Sequence, residues 1–420
     1  MQLSIKSLLG SVLLAAMPLM FTSCEGTLDD IFGEWDKPAP SAEMPSDGGS
    51  STINATAITL DQKMKVIKLG GDALTINVAF TPSDATDKSV TWTSKDPNIA
   101  TVENGVVTPK ALGITTITAK SGDLTATCEV FVGNVVTLSY AHYTANDYDI
   151  LKGYVGDFNL EIPDGFHVAF DGLNTTNTIS CPGDATIYLI DGKTNTVTAP
   201  FNYAGIQIGP SGKMLTINAE TLGTGLLNAT GGSSVGAGGG AGIGTGCAAN
   251  PCGAITINGG TINATGGSGA AAIGTGKANS NDKTCGDITI NGGTVTAKGG
   301  DNAAGIGTGG AKNYNNTCGA ITINGGTVTA KGGINAAGIG TGESYKDSSN
   351  PTSNTCGDIT ISAGVKSVTA TKGAGSPNSI GMGGSDVGSS QNCGTIKIGG
   401  ETKAQSEFTG ETYTYTPTAP

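Results

Sequence analysis

The chain has 420 residues, more than one ordinary domain holds, and 68 of them are glycine. Those glycines do not recur at every third position, which excludes a collagen helix, and 37% apolar residues set in Ile/Val triplets exclude wholesale disorder. A net charge of −12, with all 22 basic residues lysine, excludes the bidentate arginine grip on phosphate and argues against nucleic acid and anionic membrane surfaces as partners.

Lys6 followed by the apolar stretch from Leu8 to Phe21 reads as an export signal, too short to anchor stably across a bilayer. Thr22 and Ser23 place small residues directly before Cys24. This arrangement resembles a bacterial lipobox, which implies that residues 1–23 are a lipoprotein signal peptide and that Cys24 is the lipidation site. Each acyl methylene buried in the membrane would contribute about 0.8 kcal/mol, so the lipid anchor is the expected membrane contact. Residues 24–55 carry Glu25, Asp29, Asp30, Glu34 and Asp36 before a Pro/Ser/Gly stretch, and read as an acidic tether. The acidic cluster is similar to surface-export signals of Bacteroidetes lipoproteins. That likeness implies an outer-membrane protein exposed on the cell surface.

Residues 56–134 change to short alternating strands with turn signals between them, the pattern of a small β-sandwich. Trp92 within Ser89–Asp96, then Ile99–Val102, Asn104-Gly105, Gly113–Ala119 and Cys128–Val132 follow in order. The succession resembles a group 2 bacterial Ig-like domain, with Trp92 and alternate valines in the core and Cys128 buried and unpaired. The resemblance implies a spacer or adhesion module.

From residue 135 to 405 the dominant signal is repetition. Cys252, Cys285 and Cys318 each open Cys-Gly-x-Ile-Thr-Ile-Asn-Gly-Gly at a spacing of 33, and longer copies follow at Cys356 and Cys393. A third apolar element recurs as Ile243-Gly244, Ile273-Gly274, Ile306-Gly307, Ile339-Gly340 and Ile380-Gly381. Short strands with Gly-Gly corners predict an all-β chain in which the sandwich is followed by a parallel β-helix solenoid. Ile288, Ile290, Ile321 and Ile323 should point inward and Thr289, Thr322 and Thr360 outward. Asn258, Asn291 and Asn324 should stack as a hydrogen-bonded ladder. The five Cys-Gly cysteines should form an inward column, and Cys247 with Cys252 is the one candidate disulfide. Residues 406–420 read as a tail.

This region resembles parallel β-helix proteins of gut bacterial surfaces and, more loosely, the pectate-lyase-like superfamily. The resemblance implies contact with a polysaccharide or a host or surface glycan, although lyases, hydrolases, adhesins and inert stalks share the fold. No residue is assigned as catalytic. There is no arginine for a lyase base, and Asp287 and Asp358, two coils apart, would stand about 10 Å from each other, too far for a hydrolytic pair. His142 and His167 read as local, Lys298 and Lys331 as solubilising charges. Neither a zinc spacing nor a calcium loop occurs, and Gly238–Gly240 lacks the Gly-Lys-Ser/Thr of a phosphate loop, so no metal or cofactor is expected. The variable segments 277–284, 310–317 and 343–355 should leave one edge as a polar strip. Tyr314 and Tyr345 are the only aromatics between Tyr203 and Phe408. With Lys312, Asn313 and Lys346 they are the candidate ligand-binding residues, for non-catalytic adhesion or glycan binding. A polysaccharide lyase or glycoside hydrolase and a ligand-free stalk remain the alternatives.

Overall fold

The structure is a computed structural model that describes residues 52–139, 142–156, 159–220, 223–234, 238–247, 251–279, 281–345 and 351–418. The expected signal peptide, Cys24 and nearly all of the tether lie outside the described residues.

The sandwich forms because its strands alternate. In Gly113–Ser121 every second residue is buried, and the strand pairs antiparallel with Thr91–Ser94 on one side and Leu124–Ser139 on the other. A second sheet joins Leu74–Thr75, Val106–Pro109 and Ala100–Glu103. Its hairpin turns at Asn104 and Gly105, whose φ values of 50° and 81° suit an Asn-Gly turn. Between the sheets lie Ile67, Ile76, Val107, Ile117, Cys128, Val130 and Val132. Trp92 is only partly buried and packs against this cluster from its margin. Burial pushes the Cys128 thiol up to about 12.

Leu124–Ser139 does not stop at the end of the sandwich. Its last residues pair in parallel with Asp149–Val155, so one strand belongs to both domains. Met64, Val66 and Phe131 from the sandwich close with Ile150, Ala169 and Tyr188 into a shared apolar cluster. Beside it, the fully buried Glu220 carboxylate accepts Lys65 Nζ at 2.8 Å, the Val66 amide at 2.8 Å and the Asp191 amide at 3.0 Å. The sandwich therefore caps the first coil of the solenoid, which would otherwise expose an open strand edge.

The solenoid is parallel throughout its repeats. Ala254–Ile257, Ile288–Ile290, Ile321–Ile323, Ile359–Ile361 and Ile396–Ile398 stack in register as one face, and Thr261–Thr265, Thr294–Lys298, Thr327–Lys331 and Ser367–Thr371 as the next. The Ile-Gly pairs belong to a nine-stranded sheet that runs from Tyr143–Thr144 to Ile380–Gly381. The expected inward isoleucines are fully buried, and the threonines between them point outward. The asparagine ladder forms and is longer than expected: Asn258 donates to Asn218 at 2.8 Å, Asn291 to Asn258 at 2.8 Å, Asn324 to Asn291 at 2.9 Å, and Ser362 to Asn324 at 2.9 Å.

Two features depart from the expectation of three strands and a loop. A fourth stack, Lys283–Cys285, Asn316–Cys318, Ser353–Cys356 and Ser390–Cys393, forms within what reads as polar loop. In each of the first three strands the cysteine joins the apolar core, and the buried polar position is held by hydrogen bonds. Asn316 donates to the Gly309 and Gly310 carbonyls at 2.9 and 3.1 Å, and Asn354 to the Glu343 carbonyl at 2.7 Å. The threonines of Gly-Thr-Gly assist: Thr275 Oγ1 accepts the Gly309 amide at 2.8 Å and Thr308 Oγ1 the Gly342 amide at 2.9 Å. Second, within the expected tail of residues 406–420 the described residues 406–418 pack against the solenoid. Phe408, in the short 3-10 helix Gln405–Phe408, is fully buried at the end of the core, and Thr412–Tyr415 pairs antiparallel with Ser367–Thr371. A bulky ring and an antiparallel strand together close an edge that parallel stacking would leave open.

Candidate functional site

Most sequence-derived candidates sit on one edge, where the chain leaves the Ile-Gly sheet. Ala311–Lys312 pairs in parallel with Ser344–Tyr345, which places Lys312 directly beside Tyr345 on the next coil. The Lys312 ammonium lies 5.8 Å from the centre of the Tyr345 ring, a cation–π distance. Asn313 follows in a left-handed turn, φ 68°, and Tyr314 beyond it is 39% exposed. Lys346 lies outside the described residues. The structure thus brings Lys312 and Tyr345 together and leaves Tyr314 as a separate exposed ring.

Sequence reasoning named Lys277 only as the start of a loop. Its aliphatic stem lies over Gly238 and Gly269, where a Cβ would come within 2.8 and 2.6 Å of it. Burial and then the nearby Lys312 charge hold its pKa below the usual lysine value. In the same excursion Lys283, fully buried, donates to Asn281, and burial lowers its pKa too.

Phe201 and Tyr203, 73% and 50% exposed, were also missed. They occupy a turn in which the later copies carry Ser268-Gly269, Asp301-Asn302 or Ile334-Asn335. The Asn202 carbonyl accepts the Cys247 amide at 2.7 Å, as Gly269 accepts Gly310 and Asn302 accepts Glu343, so the aromatic pair stands on the same edge nearer the N-terminus. Two aromatics on either side of Asn202, in a turn whose later copies hold none, are the signal that could have found it. With coils about 4.8 Å apart, the edge from Phe201 to the last repeats runs roughly 20 Å or more, several sugar units in length.

At the C-terminal end of this edge lies a cleft of about 370 Å³ lined by Asn335, Glu343, Pro377, Ser385 and Asp386. Glu343 is 9% exposed, and its carboxylate accepts Asn335 Nδ2 at 2.7 Å. Burial raises its pKa above the ordinary carboxylate value and the Asp386 charge adds to the rise, while the Asn335 bond opposes it. No repeat position marks this pair in the sequence. The carboxylates that do repeat act structurally: Asp287 accepts the Ala320 amide at 2.8 Å and Asp358 the Thr395 amide at 2.7 Å, each tying its coil to the next. His167 is occupied by Asp147 at 3.3 Å and stacked on Tyr148, and His142 is exposed. Lys298 and Lys331 stand side by side in register on the exposed face.

The raised Glu343 pKa has a definite sign. The native state holds this proton more tightly than the unfolded chain, so stability present below the ordinary value of 4.5 is lost as pH rises through the folded-state pKa. Glu343→Gln is expected to unfold at the same temperature as wild type near pH 4 and at a higher one at pH 7. Equal unfolding midpoints at both pH values would remove the buried-acid description.

Residues 54–130 match the group 2 bacterial Ig-like domain family, and residues 255–277, 288–310 and 321–343 match the beta helix repeat family. An Ig-like virion protein of Serratia phage KSP90 is 39% identical over 87 residues, 20% of this chain and 33% of that protein. A 3-O-alpha-D-galactosyl-alpha-L-arabinofuranosidase of Bifidobacterium longum subsp. longum is 41% identical over 71 residues, 17% of this chain and 6% of the enzyme. An uncharacterised protein of Clostridium acetobutylicum is 30% identical over 131 residues, 30% of this chain and 12% of that protein. The chain thus spans a third or less of each of these relatives. It carries an Ig-like domain followed by parallel β-helix repeats.

Proposed function

We propose that this protein is a lipid-anchored cell-surface protein that holds a polysaccharide, without cleaving it, along the edge carrying Phe201, Tyr203, Lys312, Tyr314 and Tyr345. The observation that carries the reading is the in-register pair of Lys312 and Tyr345, flanked on the same edge by exposed rings. Sugar rings offer an apolar face to an aromatic and hydroxyls to lysine and asparagine, and coils at a fixed spacing present such groups along a line. The Bifidobacterium relative, named for an arabinofuranoside, supports a glycan setting, and at 6% coverage it supports no activity. The test is affinity electrophoresis of the full chain in polysaccharide gels. Tyr345→Ala is expected to weaken retention about three- to tenfold, the usual worth of a stacked ring, and a Tyr314→Ala, Tyr345→Ala double variant to weaken it further. Unchanged mobility of the double variant in a gel that retards wild type would reject this edge.

Anchoring through Cys24 belongs to the same proposal. Cys24→Ala should leave the protein in the soluble fraction of cells that otherwise hold it in the membrane fraction, and protease applied to intact cells should digest the wild type.

A second reading, glycoside hydrolysis, is favoured by one observation. Glu343 is a buried acid whose pKa is raised, it shares a cleft with the exposed carboxylate of Asp386, and glycoside hydrolysis uses two carboxyl groups in unlike environments. Release of reducing ends that Glu343→Gln abolishes would establish it in place of binding alone.

A further inference from the structure

Cys252, Cys285, Cys318, Cys356 and Cys393 occupy one column, each in β-bridge register with the next coil's cysteine. The first four are buried, and Cys393 at the C-terminal end is half-buried. The sequence left Cys247 as the partner for Cys252, yet Cys252 Sγ lies 2.6 Å from Cys285 Sγ, and Cys356 Sγ lies 3.0 Å from Cys393 Sγ. Those separations are closer than two thiols ordinarily approach. Adjacent parallel strands also place cysteine Cα atoms about 4.8 Å apart, within the span that a disulfide bridges. Five members in a line cannot all pair with a neighbour. The two close contacts take the ends and leave Cys318 in the middle.

We propose that this column is a site of oxidative cross-linking in which Cys252 joins Cys285 and Cys356 joins Cys393, each bond stapling two consecutive coils, while Cys318 stays a thiol between them. The oxidant is a disulfide of the glutathione class, or a protein of the dithiol–disulfide exchange type. In each closure one cysteine thiolate attacks the oxidant's disulfide and releases one reduced thiol. The neighbouring cysteine thiolate then attacks the mixed disulfide and releases the second. Two S–H bonds are lost, one S–S bond forms, and the two electrons and two protons reside on the two reduced thiols of the oxidant. The contact with a neighbouring cysteine and then burial raise the Cys285, Cys318 and Cys356 thiols well above their usual value in the folded chain. Closure therefore belongs to folding, while the thiols still ionise normally. Cys318 has one cross-linked pair on either side, so it can exchange only if a coil opens.

The experiment refolds the full chain from denaturant in a buffer of oxidised and reduced glutathione, quenches with N-ethylmaleimide under denaturing conditions, and maps peptides by mass spectrometry with and without reduction. The expected result is two cross-linked peptides, Cys252 with Cys285 and Cys356 with Cys393, and the maleimide on Cys318 and on every cysteine outside the column. Cys318→Ser should keep both links, and Cys285→Ser should lose the first and keep the second. Maleimide on Cys252, Cys285, Cys356 and Cys393 alike in the wild type would overturn the proposal. So would links that skip a coil or join Cys318. If a serine variant fails to refold, the wild-type map alone decides, because it needs no substitution.

Discussion

Gly307→Ala is expected to destabilise the protein by about 4 kcal/mol, the sum of an unfavourable backbone conformation and an overpacked contact. Gly244, Gly274, Gly307 and Gly340 have φ between 129° and 142°, a region that L side chains rarely adopt. A Cβ on Gly307 would stand 1.9 Å from the Gly340 carbonyl oxygen of the next coil, and the same collision repeats at 1.8 to 2.1 Å along the column. The obstacle is backbone, which cannot turn aside as a side chain could. Gly192→Ala is the matched control: φ there is 68° and nothing lies within 4 Å, so backbone strain alone should cost about 1 to 2 kcal/mol. Urea unfolding of both variants checks the difference, and equal losses would mean that close approach of the coils is not what demands glycine.

Lys65→Met should destabilise the junction by about 3 kcal/mol, because it leaves the Glu220 carboxylate buried without its cation. Two amides, Val66 and Asp191, still bond that carboxylate, so the loss falls short of a wholly stranded charge. Glu220→Gln in the Lys65→Met background should recover part of the loss, since a neutral amide needs no counter-ion. The effect should also be local. Amide exchange should quicken across residues 134–139 and 149–155, where the shared strand pairs with the first coil, and stay slow around Ile321–Ile323. Uniform quickening would mean that the ion pair supports the whole fold rather than the joint.

The solenoid was legible in the sequence because its repeat is nearly invariant at the positions that matter most. Alternating Ile-Thr-Ile names the inward face, Asn stacks on Asn, and glycine stands where coils meet backbone to backbone. The fourth stack was hidden because Lys283, Asn316 and Asn354 are fully buried yet polar, and polar residues near glycine read as loop. Only the partners explain them, since the side chains bond carbonyls of the same excursion. The cap was hidden for a related reason. Thr412–Tyr415 alternates as any surface strand would, and nothing local announces that Phe408 fills the end of a core.

The candidate edge was partly legible. Lys312 and Tyr345 are 33 positions apart, the repeat length, so their contact follows from the period, and Tyr314 stands out because aromatics are scarce there. Glu343 and Asp386 share no repeat position and line one cleft through the turn at Asn335 and the excursion after Gly383, a juxtaposition that only three-dimensional packing supplies. Phe201 and Tyr203 lie among the irregular early coils, where alignment to the repeat is weakest.

The most direct measurement of the central claim is a polysaccharide panel run on the full chain, with and without calcium, that scores retention and the appearance of new reducing or unsaturated ends in the same samples. Non-catalytic binding along the edge predicts retention on at least one glycan, weakened by Tyr345→Ala, with no new ends. Cleavage of any retained glycan, or no retention on any member of the panel, would contradict it.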